Sequence, residues 1–572
     1  MRFGPCLFRS GLAACLFAAA TASAQTPPPA PPAPKTPAQV PRATDLAPLQ
    51  VRPATGAALP EAKAPPRELG KPDDDVRVDV TRYAVDATAP AALREALPRL
   101  TERFTGRNRS FEDLANAAAE VTRFLQRELG YYLGYAYLPE QVPEGGVIRI
   151  AVLEGRLDKI VLQWSDGLPV DRAVVENYLS RLVPGSVLLV RDVERVVFLV
   201  NDLRGISTRF EVGAGSSPGT ATLVVTPRAE STVSGRLEAD INGSRFLGRY
   251  RLAGMVQRVS PFGRGDGVTA NLLASSSGGL GFGLVSYNTP LGGDGFKLGA
   301  SLSAVRYQLD KDNFPLDLNG TATTVNAYGL YPLVRSRNLN LFTLASYENK
   351  RYADSIADFE AKKSVDTLAF GLTGDFRDSL AGGGVSTFEL NGLGGRLKRE
   401  GAAESGDTPN FAKLTYGYTR LQDVFTGRML MYLALRGQRA LRNLDTTEQF
   451  RLGGPDGVRA FAAGEGTGDS GFIGTAELRW LPPEDWFGRS AREAVLSLFY
   501  DAGRVQLRTD PDPGSTAANR ESFSAWGLAL AWVRPDAFAL RLSVAKAASG
   551  VPRSDPEPRD PRVYLLGTLF FN

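Results

Sequence analysis

The chain has 572 residues, which is long for one domain, and its formal net charge of +4 is spread along the sequence. Because nucleic-acid binding needs a concentrated basic face, no nucleic-acid partner is predicted. The chain has no histidine, and its only cysteines are Cys6 and Cys15. The usual zinc ligands and the commonest general base are therefore absent. Carboxylate-based catalysis stays open, but the composition favours a non-enzyme with no metal, cofactor or small-molecule substrate.

The first 24 residues resemble a secretion signal. Arg2 and Arg9 precede an apolar stretch over residues 11–20, and residues 22–24 read Ala-Ser-Ala, a typical cleavage site. An uncleaved anchor is the alternative, but it needs roughly 20 apolar residues. Residues 12–15 also resemble a lipoprotein box, although almost no apolar stretch precedes them. Cleavage after Ala24 would leave a mature chain without cysteine.

Residues 25–75 are rich in proline, which predicts an extended linker. Binding through PxxP motifs is the alternative to a simple spacer. No later segment has 18 consecutive apolar residues, so membrane-spanning helices are excluded. An exported chain of this kind is either soluble or a β-barrel.

Residues 76–157 are predicted to form a small α/β unit with the order strand, helix, helix, strand, strand. Its clearest helix runs from Ser110 to Gly130, where Ser110 and Asp113 have the spacing of a capping box. The two last strands are predicted at residues 131–137 and 147–154, where apolar residues alternate.

Residues 158–228 repeat this order. Helices are predicted at residues 171–182 and 190–203, and strands at 160–164, 208–212 and 220–226. A unit of this kind leaves a sheet edge open, which can accept an extended peptide as an added strand. Two inert spacer domains are the alternative.

Residues 229–572 contain many segments in which apolar and polar side chains alternate. Leu368, Phe370 and Leu372, for example, alternate with polar Thr367 and Thr373. A soluble sandwich also alternates, but the export signal and the unbroken run of such segments favour a transmembrane barrel. At roughly 20 residues for each strand and its connection, the region has room for about 16 strands.

One segment breaks this alternation. Leu298, Ala300 and Leu302 share one face, whereas the apolar residues that follow share the other. Those residues are Val305, Tyr307 and Leu309. A β-bulge that shifts the register is the predicted cause.

A glycine-rich loop and a later strand carry the candidate site. The loop places Arg459 between Val458 and Ala460, and glycines around it allow the chain to fold back into a narrow space. On the strand over residues 494–502, alternation turns Asp501 toward the lumen. The two side chains could form a charge-assisted pair, although any barrel holds many lumen charges.

Taken together, these features resemble the two-partner secretion transporters of the haemolysin and haemagglutinin activator type. The family loop motif is matched by Gly453, Gly454, Val458, Arg459 and Phe461, with Ala460 in place of the motif glycine. The family strand motif is matched by Asp501 and Gly503. The pattern of its N-terminal POTRA domains is matched by Tyr137, Pro139, Gln141, Glu154 and Gly155.

This resemblance implies a mostly β protein of the Gram-negative outer membrane, with two α/β POTRA domains in the periplasm before a 16-stranded barrel. It implies that Arg459 and Asp501 clamp the loop in the lumen, and that the POTRA residues named above recognise the substrate. The implied partners are outer-membrane lipid and one large β-helical exoprotein, secreted without ATP. The family that this chain resembles is part of a wider superfamily of polypeptide-transporting outer-membrane barrels. The alternative within that superfamily is an assembly factor that inserts outer-membrane proteins, and a passive porin is a further alternative.

Overall fold

The computed structural model describes residues 77–312, 317–356, 359–400, 409–425, 427–553 and 559–572. The predicted secretion signal and the predicted linker lie outside these residues. The described chain consists of two small α/β units followed by a closed antiparallel barrel, so the prediction of a mostly β fold is confirmed. Within this part of the chain, no helix combines the length and apolar character that a membrane crossing requires.

The first α/β unit packs two helices against short strands. Its elements are β1 (Arg77–Val80), β2 (Arg82–Ala84), α1 (Ala91–Thr101), β3 (Gly106–Ser110), α2 (Phe111–Arg127), β4 (Tyr135–Tyr137), β5 (Val147–Arg149) and β6 (Ala151–Leu153), with a 3₁₀ turn at Glu102–Phe104. Strand β1 pairs with β3 and β4 with β6 in antiparallel fashion, whereas β2 and β5 are parallel. Leu114, Val121 and Leu125 of α2 lie in the core of the unit.

The capping box of α2 is confirmed. The Ser110 hydroxyl accepts the Asp113 amide at 3.2 Å, and the Asp113 carboxylate accepts the Ser110 amide at 3.0 Å. Strand β3 was not predicted, because its sequence is polar and Asn108 within it has a φ of 57°. The strand predicted at residues 147–154 is divided into β5 and β6.

The second α/β unit has a three-stranded sheet covered by two helices. Its elements are β7 (Arg156–Leu162), α3 (Arg172–Leu179), α4 (Val190–Asn201), β8 (Ile206–Ala214) and β9 (Thr220–Ala229). The central strand β9 is parallel to β7 and antiparallel to β8. Val193, Val196, Val197 and Val200 of α4 are buried in its core, as the apolar side of the predicted helix requires.

Sixteen strands close the barrel, which confirms the predicted number. They are β10 (Val233–Asp240), β11 (Arg251–Val259), β12 (Gly267–Ser275), β13 (Leu280–Leu291), β14 (Phe296–Gln308), β15 (Leu318–Arg335), β16 (Leu339–Ile356), β17 (Phe359–Asp378), β18 (Gly384–Glu400), β19 (Asn410–Phe425), β20 (Met429–Ala440), β23 (Ser470–Trp480), β24 (Ala494–Gln506), β25 (Arg520–Arg534), β26 (Phe538–Ser549) and β27 (Arg562–Phe571). The elements that do not belong to the barrel wall are β21 (Phe450–Arg451), β22 (Thr467–Gly468), the short helix α5 (Glu484–Phe487) and 3₁₀ turns at Leu380–Gly382 and Gly488–Arg492. Strand β10 pairs with β27 to complete the closure.

The apolar face of the alternating segments points outward. Leu368 and Phe370 of β17 are 51% and 62% exposed, whereas Val365 and Thr367 of the same strand are buried inside. An apolar outer surface around a partly polar interior is the arrangement of a barrel that faces lipid.

The prediction of a β-bulge in β14 is wrong. Strand β14 pairs in continuous register with both β13 and β15. Leu298 and Leu302 face outward, whereas Val305, Tyr307 and Leu309 are buried in an apolar cluster inside the barrel. The change of parity in the sequence therefore reflects a dry region of the lumen, where inward apolar side chains find packing partners.

The second α/β unit is attached to the barrel end at which β15 turns into β16. Arg335 of β15 donates from Nε and Nη2 to the two carboxylate oxygens of Asp202, at 2.9 and 2.6 Å. Asp202 caps the C-terminus of α4, and the Arg335 guanidinium also lies over the Phe198 ring of that helix. This buried contact fixes α4 against the barrel.

Candidate functional site

Residues 441–469 connect β20 to β23 and fold back inside the barrel, and we term them the lumen loop. The pairing of β21 with β22 joins the two arms of this loop. Leu452, Val458 and Phe461 are each at most 1% exposed. The loop therefore packs as part of the interior rather than projecting into solvent.

Glycines allow the tip of the lumen loop to fold tightly. A Cβ on Gly453 would lie 2.2 Å from a loop carbonyl oxygen, and one on Gly457 would lie 2.0 Å from the Leu452 oxygen. That same Leu452 oxygen accepts the amide of Val458 at 2.8 Å. Gly454 has a φ of +128°, which L side chains rarely adopt.

Val458 and Phe461 anchor the loop tip in an apolar cluster on either side of Arg459. The Phe461 ring stacks on Phe523 of β25 with centroids 4.2 Å apart. The carbonyl of Phe461 accepts the hydroxyl of Tyr564, on β27, at 3.1 Å. Aromatic stacking and burial hold the tip against this part of the wall.

Arg459 and Asp501 form the pair that the sequence predicts. The guanidinium donates from Nε to Oδ2 at 2.7 Å and from Nη2 to Oδ1 at 2.8 Å, and the Arg459 amide donates to Oδ2 at 3.2 Å. The Asp501 side chain is 0% exposed. Such a bidentate, charge-assisted contact fixes both the position and the orientation of the arginine.

Three further residues complete the arrangement and were not predicted as site residues. Glu477 of β23 accepts Arg459 Nη1 at 3.0 Å, and the Thr475 hydroxyl donates to Asp501 at 2.9 Å. The guanidinium carbon lies 3.3 Å from the centroid of the Phe499 ring, which adds a cation–π contact. Thr475 and Glu477 lie on the polar face of β23, directly opposite Asp501 and Phe499 of β24. Alternation along β23 places both side chains on the lumen face, but the register that brings them to Asp501 has no signal in the sequence.

Gly503 and Ala460 occupy the remaining motif positions. A Cβ on Gly503 would lie 2.9 Å from the Leu452 side chain, so this glycine leaves room for the loop. Ala460, which replaces the motif glycine, is not among the residues with positive φ. An alanine is therefore accommodated there without backbone strain.

The predicted recognition residues lie in the first α/β unit and beside β7. Gln141 donates to the Arg149 carbonyl at 2.8 Å and accepts the Arg149 amide at 2.7 Å. Gly155 has a φ of +74°, and a Cβ there would lie 2.5 Å from Leu133. Gln141 and Gly155 thus have a structural role whether or not a substrate is bound.

The other three predicted recognition residues are partly accessible. Tyr137 stacks on Tyr135 with centroids 6.4 Å apart, Pro139 is half-buried, and Glu154 pairs with Arg156. Burial raises the pKa of nearby Tyr131, and the negative charge of Glu154 raises it further. In the described ranges no group of three histidine, cysteine or acidic residues could hold a metal ion.

Known proteins resemble this chain over most of its length. A family model described as haemolysin secretion/activation protein ShlB/FhaC/HecB matches residues 219–530, and one described as POTRA domain, ShlB-type, matches residues 78–155. The heme/hemopexin transporter protein HuxB of Haemophilus influenzae strain 86-028NP is 25% identical over 472 residues, which are 81% of this chain and 82% of HuxB. The outer membrane transporter CdiB of Dickeya dadantii is 26% identical over 453 residues, 75% of each chain.

A solved structure, CdiB from Escherichia coli, superposes with a TM-score of 0.68 at 19% identity, covering 88% of this chain and 92% of that one, which shows a shared fold. A closed barrel with an N-terminal POTRA domain and a loop pinned in its lumen defines an outer-membrane polypeptide transporter. The chain belongs to the haemolysin secretion/activation protein family ShlB/FhaC/HecB, the two-partner secretion transporters. Its POTRA region lies in the periplasm. The second α/β unit is attached at the barrel end where β15 turns into β16, and the connection from β20 to β23 lies at the opposite end. The lumen loop therefore enters the barrel from the extracellular end. The alternative of an assembly factor is less supported, because the matching family is one of secretion proteins.

Proposed function

We propose that this transporter secretes one large β-helical partner of the haemolysin or haemagglutinin type across the outer membrane without ATP. The partner arrives unfolded in the periplasm and docks on the α/β units. It threads through the barrel, and its folding outside the cell gives the direction of transport. The observation that carries this proposal is the buried Arg459–Asp501 pair, which holds the lumen loop against the wall in a defined position.

The docking step is supported by the second α/β unit. Strand β8 lies at the edge of its sheet, so a partner segment can add to it as a further strand. In this proposal residues 76–157 and 158–228 are both POTRA domains, and residues 229–572 form the barrel. Tyr137, Pro139 and Glu154 of the first domain offer half-buried side chains for contact with the partner.

The N-terminal residues complete the proposal. Residues 1–24 act as a cleaved secretion signal, and residues 25–75 act as a spacer. Outer-membrane lipid surrounds the apolar outer wall.

Secretion of the partner tests the proposal. The chain is co-expressed with a large exported β-helical protein encoded beside it, and the partner is assayed in the medium with the wild-type chain and with Asp501→Ala. Heat-modifiable electrophoretic mobility shows whether each barrel is folded. We expect the partner in the medium with the wild-type chain and a loss of secretion with a folded Asp501→Ala barrel. Retention of the partner by the wild-type chain, with misassembly of other outer-membrane proteins on its deletion, would instead support the assembly factor.

A further inference from the structure

The lumen loop has a second attachment at its base, made by residues that take no part in the Arg459 site. Glu448 accepts Lys350 Nζ at 3.0 Å on Oε1 and Lys413 Nζ at 2.9 Å on Oε2. Lys413 also donates to the Glu448 carbonyl at 2.8 Å. All three residues are buried, so one carboxylate is enclosed between two lysines.

Asp445, which precedes Glu448 in the loop, makes a similar contact with the barrel wall. Its carboxylate accepts Lys363 Nζ at 3.0 Å and Arg399 Nη2 at 2.9 Å. The Thr447 hydroxyl donates to the same carboxylate at 2.7 Å, which orients it within the loop. Asp445 is buried as well.

The four cations that hold the base come from one part of the wall. Lys350, Lys363, Arg399 and Lys413 lie on the four adjacent strands β16, β17, β18 and β19. The carboxylates that hold the tip lie on β23 and β24. The ion pairs of the base and those of the tip therefore share neither residues nor strands. Strand β20, in contrast, contacts both parts of the loop: Gln438 donates to the Glu448 carbonyl at 3.0 Å and Arg436 to the Asp456 carbonyl at 2.7 Å.

An apolar contact accompanies the ionic one. Leu444, beside Asp445, is 1% exposed and belongs to a cluster of inward side chains from β13 to β20. Leu247, from the connection between β10 and β11, joins the same cluster. The connection between β10 and β11 and the lumen loop both lie at the extracellular end. Two extracellular segments therefore meet inside the barrel, at Leu247 and Leu444.

We propose that residues 443–449, which we term the loop base, are the outer gate of the pore, and that Glu448 and Asp445 are the positioning residues that hold it shut. This inference rests on the proposed transport function. A buried carboxylate that loses its cations is strongly destabilised, so the loop base either stays paired with the wall or moves into water as a unit. The tip and the gate are then separate elements, since the Arg459 pair can persist while the base opens.

Ion conductance of the purified full-length protein in planar lipid bilayers tests the gate. Glu448→Gln removes the carboxylate that Lys350 and Lys413 share, although Lys350 keeps its contact with Glu348 at 3.0 Å. We expect the fraction of time spent in a conducting state to rise roughly tenfold or more. Glu448→Asp keeps the charge and is expected to conduct less than Glu448→Gln. The matched control is Glu360→Gln, because Glu360 pairs with Lys362 and its side chain is 56% exposed. It is expected to behave as the wild-type chain does.

Equal conductance of Glu448→Gln, Glu360→Gln and the wild-type chain would overturn the inference. If Glu448→Gln does not insert as a folded barrel, Lys350→Met and Lys413→Met decide, since each leaves Glu448 one cation; no rise in conductance in either would overturn it too. The proposed function fails separately. A wild-type chain that secretes no partner, but whose Glu448→Gln variant conducts, would refute secretion and leave the gate standing.

Discussion

The guanidinium of Arg459 meets the wholly buried carboxylate of Asp501 edge to edge, so that two nitrogens of one side chain occupy both carboxylate oxygens. The pair joins the tip of the lumen loop to β24, across a sequence separation of 42 residues. Because the Asp501 side chain has no solvent exposure, water does not compete with the guanidinium for its carboxylate.

Removal of the arginine should release the loop tip without unfolding the barrel. Arg459→Ala leaves the Asp501 carboxylate buried without its cation, a loss of about 3–5 kcal/mol for the packed loop. Arg459→Lys keeps a charge but cannot form the bidentate contact, so its secretion should fall less than that of Arg459→Ala. Partner in the medium and heat-modifiable mobility are the measurements. Undiminished secretion by a folded Arg459→Ala barrel would contradict the clamp.

Exchange of the two charges should restore little on its own. Arg459→Glu with Asp501→Arg would place the new carboxylate within reach of Glu477, which now accepts Arg459 Nη1. Like charges at this distance repel, so rescue should need Glu477→Gln as a third change. Secretion by the double variant is compared with that of the triple variant. Full rescue by the double variant would show that Glu477 does not contribute to the site.

A single methyl group at Gly457 should displace the loop tip. The new Cβ would lie 2.0 Å from the Leu452 carbonyl oxygen, and a backbone atom cannot move aside cheaply. Gly457→Ala is therefore expected to lower secretion toward the level of Arg459→Ala. Ala460→Gly is the matched control, since it adds no atoms and costs about 0.5–1 kcal/mol in backbone entropy. Equal secretion by the two variants would count against the packed tip.

Local sequence patterns predicted which strand residues face the lumen. They did not predict which residues of neighbouring strands lie beside one another. Alternation turned Asp501 into the lumen, and the loop motif selected Arg459 from many arginines. Glu477 was missed because the register of β23 against β24 is set by a connection with no periodic signal. The same limit hid the loop base, where Lys350 and Glu448 are 98 residues apart. The bulge predicted in β14 failed for a related reason, since only the folded barrel shows that its interior is apolar at that level.

The stability of the first α/β unit should fall in acid because of the capping box. The Ser110 amide, followed by the Ser110 hydroxyl, lowers the pKa of Asp113 below its ordinary value by bonding to the carboxylate. A group with a lowered pKa in the folded state stabilises the fold above the ordinary carboxyl pKa, and this contribution is lost as the pH falls through the folded value. Thermal melting of the full-length protein, at pH values from neutral into acid, measures this contribution. The helical circular dichroism signal is the readout.

Asp113→Asn should lower the melting temperature at neutral pH and flatten its dependence on pH. Glu112→Gln is the matched control, because Glu112 lies in the same helical turn but is exposed and outside the capping box. A pH dependence that is unchanged in Asp113→Asn would assign the acid sensitivity to other groups.

Loss of Asp202 should free the second α/β unit from the barrel. Asp202→Ala leaves Arg335 buried against Phe198 without its carboxylate, which should weaken the contact by about 3 kcal/mol, roughly a hundredfold in the opening equilibrium. Asp192→Ala, on the same helix, is the matched control, since Asp192 is half exposed and lies 3.5 Å from Arg191. Hydrogen exchange of the α4 amides in the full-length protein should accelerate in Asp202→Ala alone. Equal exchange in both variants would mean that the docking of α4 depends on its apolar contacts, because the ion pair would then add no measurable free energy to the interface.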